Sequence, residues 1–394
     1  MIKLFFHYNR GKTFRTDFSQ ISEIRSLLPK WTNIMALTAT ANLATRKMVI
    51  QSLEMNGCYI KARNPNKRNI RYTVAEKPVD VLTVVRPIVK HVIEKGQEAD
   101  RSILFCRTYK DSGTLFELLI LELESSGVLI TKIEHGQTLR ICEKFTACSS
   151  PNTKRKIITS FTQPNGIIRI VVATVALGTG LDSPNVRTII HWGPPEDLEM
   201  YVQETGRGGR DNMLSNAILY YNKRDIAANS HASEEVKRYC ENMSECRHAL
   251  LMRQFTDEAL DLPLHRHLCC DVCASVCPCE DCDFNVNSPG SADSSTYAPP
   301  VPSNTGASNA PETIQATLRE QLTTYRKQLS KKFAHTTALV GIELCTGLTD
   351  RTITNIAANC LNIHCEDDVL EYGITSRVYC SPIFDIINNV TREM

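Results

Sequence analysis

Val171-Val-Ala-Thr174-Val-Ala-Leu-Gly178-Thr-Gly180-Leu-Asp182 reads as a buried strand that runs directly into a glycine-flanked turn. At the carboxyl end of a parallel strand, such a turn is where doubly wound sheets place ligands, although Gly-x-Gly alone is equally a plain strand-to-loop turn. Working outward, Asn69 to Asn222 alternates β-rich runs with amphipathic helix-length ones. The strand candidates are Ile70–Ala75, Ile103–Arg107, Ile168–Thr174, Val186–His191 and Ala217–Tyr221. Between them, Val79–Lys95, Asp111–Glu124, Thr153–Phe161 and Asp197–Thr205 carry apolar stripes at helical spacing. The pattern is that of an open, mostly parallel α/β sheet covered by helices, over residues 69–228.

The flanks differ in kind. Residues 1–68 hold a helix candidate near Ser19–Leu28, a strand Asn33–Leu37 and a helix from Asn42 to Met55, too little to close a sheet. Residues 229–286 begin with a charged helical stretch, Ser233–Leu260, and end in a cysteine-dense segment. Residues 287–311 have the Ser, Pro, Gly and Asn content of a disordered linker. In 312–394, Glu312–Phe333 is a polar helix, and Thr337–Val390 reads as short helices around an apolar core, with no motif that carries chemistry. His364-Cys365-Glu366-Asp367-Asp368 is better read as an acidic helix start than as metal ligands.

Composition adds limits. The 394 residues carry 45 Lys+Arg against 43 Asp+Glu, so the net charge of +2 gives no argument for nucleic acid. No run approaches the roughly 20 apolar residues of a membrane span, and the opening has no cleavable leader pattern, so no membrane partner and an intracellular chain are expected. Eight of the 16 cysteines fall between Cys240 and Cys282, the crowding of a metal site in a reducing compartment. Cys58, Cys106 and Cys345 are expected to be inert buried thiols.

Two further strings carry chemistry. Gln203-Glu-Thr-Gly206-Arg207-Gly-Gly-Arg210-Asp211 sets two arginines on a Gly-rich turn, where guanidinium forks can meet phosphate oxygens. Leu37-Thr38-Ala39-Thr40-Ala41 follows a strand and leads into a helix, as any Thr cap does.

Taken in order and at these separations, the strings resemble superfamily 2 helicases of the RecQ family, from about Phe14 to Cys273. Leu37–Ala41 resembles motif III, Ile103-Leu-Phe-Cys106-Arg107-Thr108 motif IV, Ala173–Asp182 motif V and Gln203–Asp211 motif VI. The resemblance implies a RecA-like parallel sheet, the helicase C-terminal lobe, followed by a helical zinc-binding subdomain and a small helical tail. It implies a motor that binds ATP and Mg2+ between two lobes and moves 3′ to 5′ on single-stranded DNA, with duplex DNA as a second partner. Arg210 would be the arginine finger, with Arg207 and Gln203 supporting it as catalytic residues. Gly180 and Asp182 would join both arginines at the nucleotide. Thr38, Thr40, Arg107 and Thr174 would face DNA, with Tyr109 as a weaker aromatic candidate. A DNA substrate implies the nucleus, with the cytoplasm as the alternative.

The sequence also departs from the family. Neither a Gly-x-x-x-x-Gly-Lys-Ser/Thr loop nor an Asp-Glu-x-His box is present, and residues 1–68 are read as a remnant of the first lobe. Phe6 stands where a loop ending in Gly11-Lys12-Thr13 needs glycine, so Gly11–Arg15 fits better as the Gly-x-x-Phe-Arg segment of the aromatic DNA-sensing loop. The connection after Glu134-His135-Gly136 is longer than usual. Activity of this chain alone is expected to be negligible. The alternatives are a non-catalytic DNA-binding scaffold derived from a helicase, and a product that extends upstream.

Cys246, then His267, Cys270 and Cys273, give four soft ligands suited to a closed tetrahedral zinc site, and Cys269 is close enough to replace His267. Cys277-Pro-Cys279-Glu-Asp-Cys282 would lack a fourth ligand for a second ion unless Cys240 or Cys269 supplied it.

Overall fold

The computed structural model describes residues 2–5, 27–29, 32–37, 41–55, 57–62, 64–127, 131–134, 137–174, 182–256, 262–263, 266–278, 310–332 and 342–392. The chain divides into two compact units. One comprises residues 1–73, 195–217 and 224–279, the other 74–194, 218–223 and 280–394.

Six strands form the principal sheet: β3 (Ile70–Glu76), β4 (Arg101–Cys106), β7 (Cys142–Phe145), β8 (Ile170–Ala173), β9 (Val186–Trp192) and β10 (Ser215–Tyr221), in the order β3-β10-β9-β4-β8-β7. Strand β4 lies at its centre, and β9, β4, β8 and β7 pair in parallel, with Ile103 opposite both Val171 and Ile189. Strict alternation divides their side chains. Leu104 and Cys106 of β4, with Ile170 and Val172 of β8, enter a core shared with the helices Leu82–Lys95 (α2) and Tyr109–Ser125 (α3). Ile103, Phe105, Val171 and Ala173 face the other way, onto Ile157 and Phe161 of the helix Pro151–Thr162 (α4). Being covered on both faces, Ile103–Cys106 of β4 and the whole of β8 read as unbroken apolar runs.

Two helices in this unit begin at strong caps. Thr108 accepts a hydrogen bond from Asp111 N (3.0 Å) at α3, and Ser150 accepts one from Thr153 N (3.1 Å) ahead of Pro151 at α4. Strand β7 was not anticipated. Its middle residues, Glu143 and Lys144, are only half-buried, so an edge strand of four residues shows no apolar signature. The antiparallel pair β5 (Thr131–Glu134) and β6 (Gln137–Arg140) precedes it, in the connection noted as unusually long.

The tail is part of the same unit. Five helices, Glu312–Lys332 (α9), Ile342–Thr346 (α10), Asp350–Ala358 (α11), Glu366–Glu371 (α12) and Arg377–Arg392 (α13), carry Leu318, Leu322, Ile356, Ile383 and Ile387 into the core that holds Val85, Leu115 and Leu119. α10 packs on α3, and Ser376 Oγ lies 3.3 Å from Asp80 Oδ1. What the sequence suggested was a small helical region; its apolar face completes the covering of α2 and α3. The acidic string behaves as a helix start. Asp368 Oδ2 accepts from the backbone N–H of His364 (2.7 Å) and Cys365 (3.1 Å), bonds that hold its carboxyl below the usual carboxylate range. Residues 287–309, read as a linker, lie outside the described residues.

In the other unit, β1 (Ile2–Phe5) pairs in parallel with β2 (Ile34–Leu37), and Asn42 caps the helix Leu43–Ser52 (α1) by accepting from Thr45 N at 2.7 Å. The strand and helix expected at 33–37 and 42–55 are thus present, whereas β1 was not read; the helix expected at Ser19–Leu28 falls largely outside the described residues. The unit also contains the helices Leu198–Thr205 (α5), Glu234–Glu241 (α6), Arg247–Met252 (α7) and Asp271–Ser275 (α8). Among the described residues, no helix is long and apolar enough to cross a membrane.

Candidate functional site

The double-arginine string begins on α5. Asp197 caps the helix by accepting from Met200 N at 2.7 Å, and Leu198, Tyr201 and Val202 are buried. Gln203 lies half-buried on the last turn. The chain then leaves the helix at Gly206, with Arg207 buried and Arg210 exposed. Two residues distant in sequence pin the turn through its carbonyls. Lys67 Nζ donates to Gly206 O (2.6 Å) and Gly208 O (3.2 Å), and Asn69 Nδ2 donates to Gly209 O (2.7 Å) and Met213 O (2.8 Å). Gly209 adopts a φ of 56°, and a Cβ there would lie 2.2 Å from Asn69 Nδ2. Gly209→Ala is therefore expected to cost more than about 1 kcal/mol, from the left-handed backbone and the lost amide contacts together. Urea unfolding would measure it, and an unchanged midpoint would show that Asn69 does not hold the turn.

Behind the turn lies an aromatic and polar layer. Tyr72 OH is 3.4 Å from Thr205 Oγ1, and Tyr72 packs on Tyr201 and on the edge of His248. Burial pushes the Tyr72 hydroxyl up to about 12, so it stays protonated. His248 Nε2 lies 2.9 Å from Ile70 O, which can only accept, so this nitrogen carries the proton. Burial lowers the His248 pKa, and Nδ1 lies 2.7 Å from Asn66 Oδ1.

The same layer anchors the cysteines. Arg247 is 1% exposed on its side chain, bonds through Nε to Asp271, donates from Nη1 to Tyr239 O (2.9 Å) and lies over the Tyr239 ring. It fixes the start of α7 against α8, and each helix opens on a cysteine, Cys246 and Cys270. Tyr72 N donates to Cys269 O (3.2 Å), and Tyr72 forms a parallel bridge with Cys270. As a result, the ligand atoms of Cys246, Cys269, Cys270 and Cys273 all lie within 4.8 Å of one another. Cys246 Sγ and Cys269 Sγ are 3.5 Å apart, close to the roughly 3.8 Å edge of a tetrahedron with ~2.3 Å zinc–sulfur bonds.

The donor chemistry fits such an ion. Hydrogen bonds from Cys269 and Cys270 hold the Cys246 thiol far below its ordinary range, and a thiolate there holds Cys269 up. Burial, reinforced by Cys270, pushes Cys273 up to about 12. Four thiols at these distances cannot all ionise unless a cation lies among them. Cys269, not His267, joins Cys246, Cys270 and Cys273, while His267 Nδ1 lies 3.5 Å from Cys277 Sγ.

Comparison with known proteins gives this geometry a family. The helicase conserved C-terminal domain matches residues 84–212. The chain is 30% identical over 276 residues to the ATP-dependent DNA helicase Q1 of Mus musculus, covering 68% of this chain and 39% of that protein. It is 30% identical over 217 residues to the ATP-dependent DNA helicase RecQ of Pasteurella multocida, covering 55% of this chain and 30% of that protein. The RecQ-like DNA helicase BLM of Xenopus laevis is 27% identical over 286 residues, 67% of this chain and 19% of that protein. The matched region is similar to RecQ helicases. The chain spans about two fifths of the mouse relative and less of the other two.

The remaining residues expected at the site are placed unevenly. Thr174 is buried just past β8, its N–H donating to Phe145 O at 3.1 Å, and Asp182 is exposed. Arg107 follows β4 and is half-buried; Tyr109, the first residue of α3, is 44% exposed. Thr38, Thr40, Gly178 and Gly180 lie outside the described residues, as do Gly11–Arg15. Sequence reading missed Lys67 and Asn69, since neither residue type signals a role in bracing a turn. Of the thiols expected to be buried, Cys106 is buried, with its pKa pushed well up, whereas Cys58 is only half-buried; the Cys345 side chain is outside the described residues.

Proposed function

We propose that the chain supplies the arginine-finger lobe and the zinc module of a RecQ-type ATP-dependent DNA helicase, moving 3′ to 5′ on single-stranded DNA. The observation that carries this reading is the braced turn, which buries Arg207 and leaves Arg210 exposed beyond a rigid glycine corner. In this role Arg210 stabilises charge on the transferring phosphate, while Arg207 and Gln203 support the nucleotide contacts and Gly180 and Asp182 border them. Thr38, Thr40, Arg107 and Thr174 face DNA. Cys246, Cys269, Cys270 and Cys273 hold a structural Zn2+ that ties α7 and α8 to the start of β3.

The 394 residues contain no phosphate-loop sequence to receive ATP and Mg2+, so an arginine finger here completes a site that another lobe must begin. The reading places the chain with DNA in the nucleus. The test is ATP turnover with and without single-stranded DNA, first by the chain alone and then with a RecQ-type phosphate-loop lobe added. Negligible turnover alone is expected, with DNA-stimulated turnover on addition. Arg210→Ala should reduce the latter by roughly 10³-fold or more. Full turnover by the Arg210→Ala chain would sink the finger assignment. The missing phosphate loop favours a second reading, a DNA-binding scaffold, which predicts DNA binding with no turnover under either condition.

A further inference from the structure

A cleft of about 340 Å3 opens beside the carboxyl end of β2, lined by residues of a single compact unit. Its volume falls within the roughly 300–1,000 Å3 of ligand sites. Leu37 of β2, Val49 and Ile50 of α1, and Phe255 just past α7 supply apolar lining. Arg46, Tyr59 and Lys61 supply the rest of its character, and no carboxylate is among the lining residues. On the reading that the chain binds DNA, we infer that this cleft is a further subsite for a single strand. One unstacked base lies against Tyr59, and its phosphate meets Lys61 and Arg46.

Tyr59 is 88% exposed, and Lys61, two residues on, is exposed as well. A ring so bare adds almost nothing to the core, since stabilisation follows the area removed from water. It is, however, the platform on which a base stacks. Arg46 is held in place rather than neutralised. Its Nε donates to Ala41 O (3.1 Å) and its Nη2 to Phe255 O (3.0 Å), so the guanidinium keeps donors to spare and has no carboxylate partner among the described residues. Lys61 likewise forms no ion pair among them. The surrounding sequence has the same sign. From Asn56 to Ala75 it carries Lys61, Arg63, Lys67, Arg68 and Arg71 with no Asp or Glu, in a chain whose net charge is only +2. Phosphate recognition needs such a local excess. In sequence, Leu37 and Ala41 of the lining flank Thr38–Thr40, the segment proposed to face DNA. An acidic peptide would satisfy the two cations equally. The bare ring beside them favours a strand, whose every residue offers a flat π-face along with its charge.

The test uses the full chain and a fluorescein-labelled oligothymidylate, read by anisotropy over a range of salt concentrations. Tyr59→Ala is expected to weaken binding by about 5-fold or more, the worth of one stacked base. Lys61→Ala is expected to lower the slope of log Kd against log salt by about 0.7, the share of one phosphate on a single strand. Both side chains are exposed, so both variants should melt like wild type by circular dichroism. An abasic oligomer should bind wild type more weakly and be indifferent to Tyr59→Ala. Ultraviolet crosslinking of an iodouracil-substituted strand should mark Tyr59. Unchanged affinity and salt slope in both variants, with crosslinks only elsewhere, overturn the cleft and leave the DNA reading intact. A wild-type chain that binds no oligomer overturns both. Equal weakening of the abasic strand by Tyr59→Ala overturns the base contact, and displacement of the strand by polyglutamate as effective as unlabelled oligothymidylate makes the cleft a peptide groove instead.

Discussion

Cys270→Ser is expected to remove the metal from the four-thiol cluster and unfold the module built on α7 and α8. Cys270 is fully buried, and its Sγ accepts from Arg247 N (3.5 Å) and Cys273 N (3.4 Å), so the serine oxygen would be a poorer ligand at the centre of the set. Structural zinc contributes roughly 10–16 kcal/mol in small peptides, comparable to or greater than the roughly 5–15 kcal/mol that keeps a whole domain folded. Around it, α7 has only six residues and α8 five, too few to persist without the ion. The loss should spread to the segment that Tyr72 and Arg71 tie to Cys269 and His267, and through Tyr72 to Thr205 at the end of α5. Limited proteolysis should open new cuts within residues 229–278, with one zinc equivalent gone. Wild-type chain treated with strong chelator should give the same pattern. If Cys270→Ser keeps the wild-type digestion pattern, the cluster is not a structural metal site.

A comparably large effect is expected in the tail. Leu322→Asp should cost more than about 4 kcal/mol, because Leu322 is fully buried in the apolar core that holds Val85 and Leu119, where a carboxylate would lose its hydration. A chain ending at residue 309 would expose the covered faces of α2 and α3 and should be recovered only as aggregate. Lys327→Ala, on the exposed face of α9, serves as the control and should leave the melting temperature unchanged within error. Should the shortened chain be soluble and melt like the full one, α2 and α3 do not need the tail, and the shared core has no energetic meaning.

Legibility in sequence followed burial. Ile103–Cys106 of β4 and Ile170–Ala173 of β8 stood out because they are apolar on both faces, whereas β7, Cys142-Glu-Lys-Phe145, carries its polar residues in the middle and vanished among loops. The arginine turn was legible as a string. Its braces were not, because Lys67 and Asn69 reach it across about 140 positions and neither is unusual locally. The clustered cysteines were legible as a group but not individually. Spacing admits either His267 or Cys269, and the bond from Tyr72 N to Cys269 O, a contact between distant segments, sets which of them turns toward Cys246. The tail was recognised as helical from its stripes, but nothing local reports which neighbouring face those stripes cover.

That shared core places a timing demand on synthesis. Leu82 of α2 and Val390 of α13 belong to one cluster, about 300 positions apart. At roughly 5–20 residues per second, a ribosome needs about 15–60 s to pass from the first to the second. Throughout that interval the emerged α2 and α3 wait with apolar faces uncovered. Yield in cells should therefore depend on how well those faces are shielded during translation as well as on the stability of the finished fold.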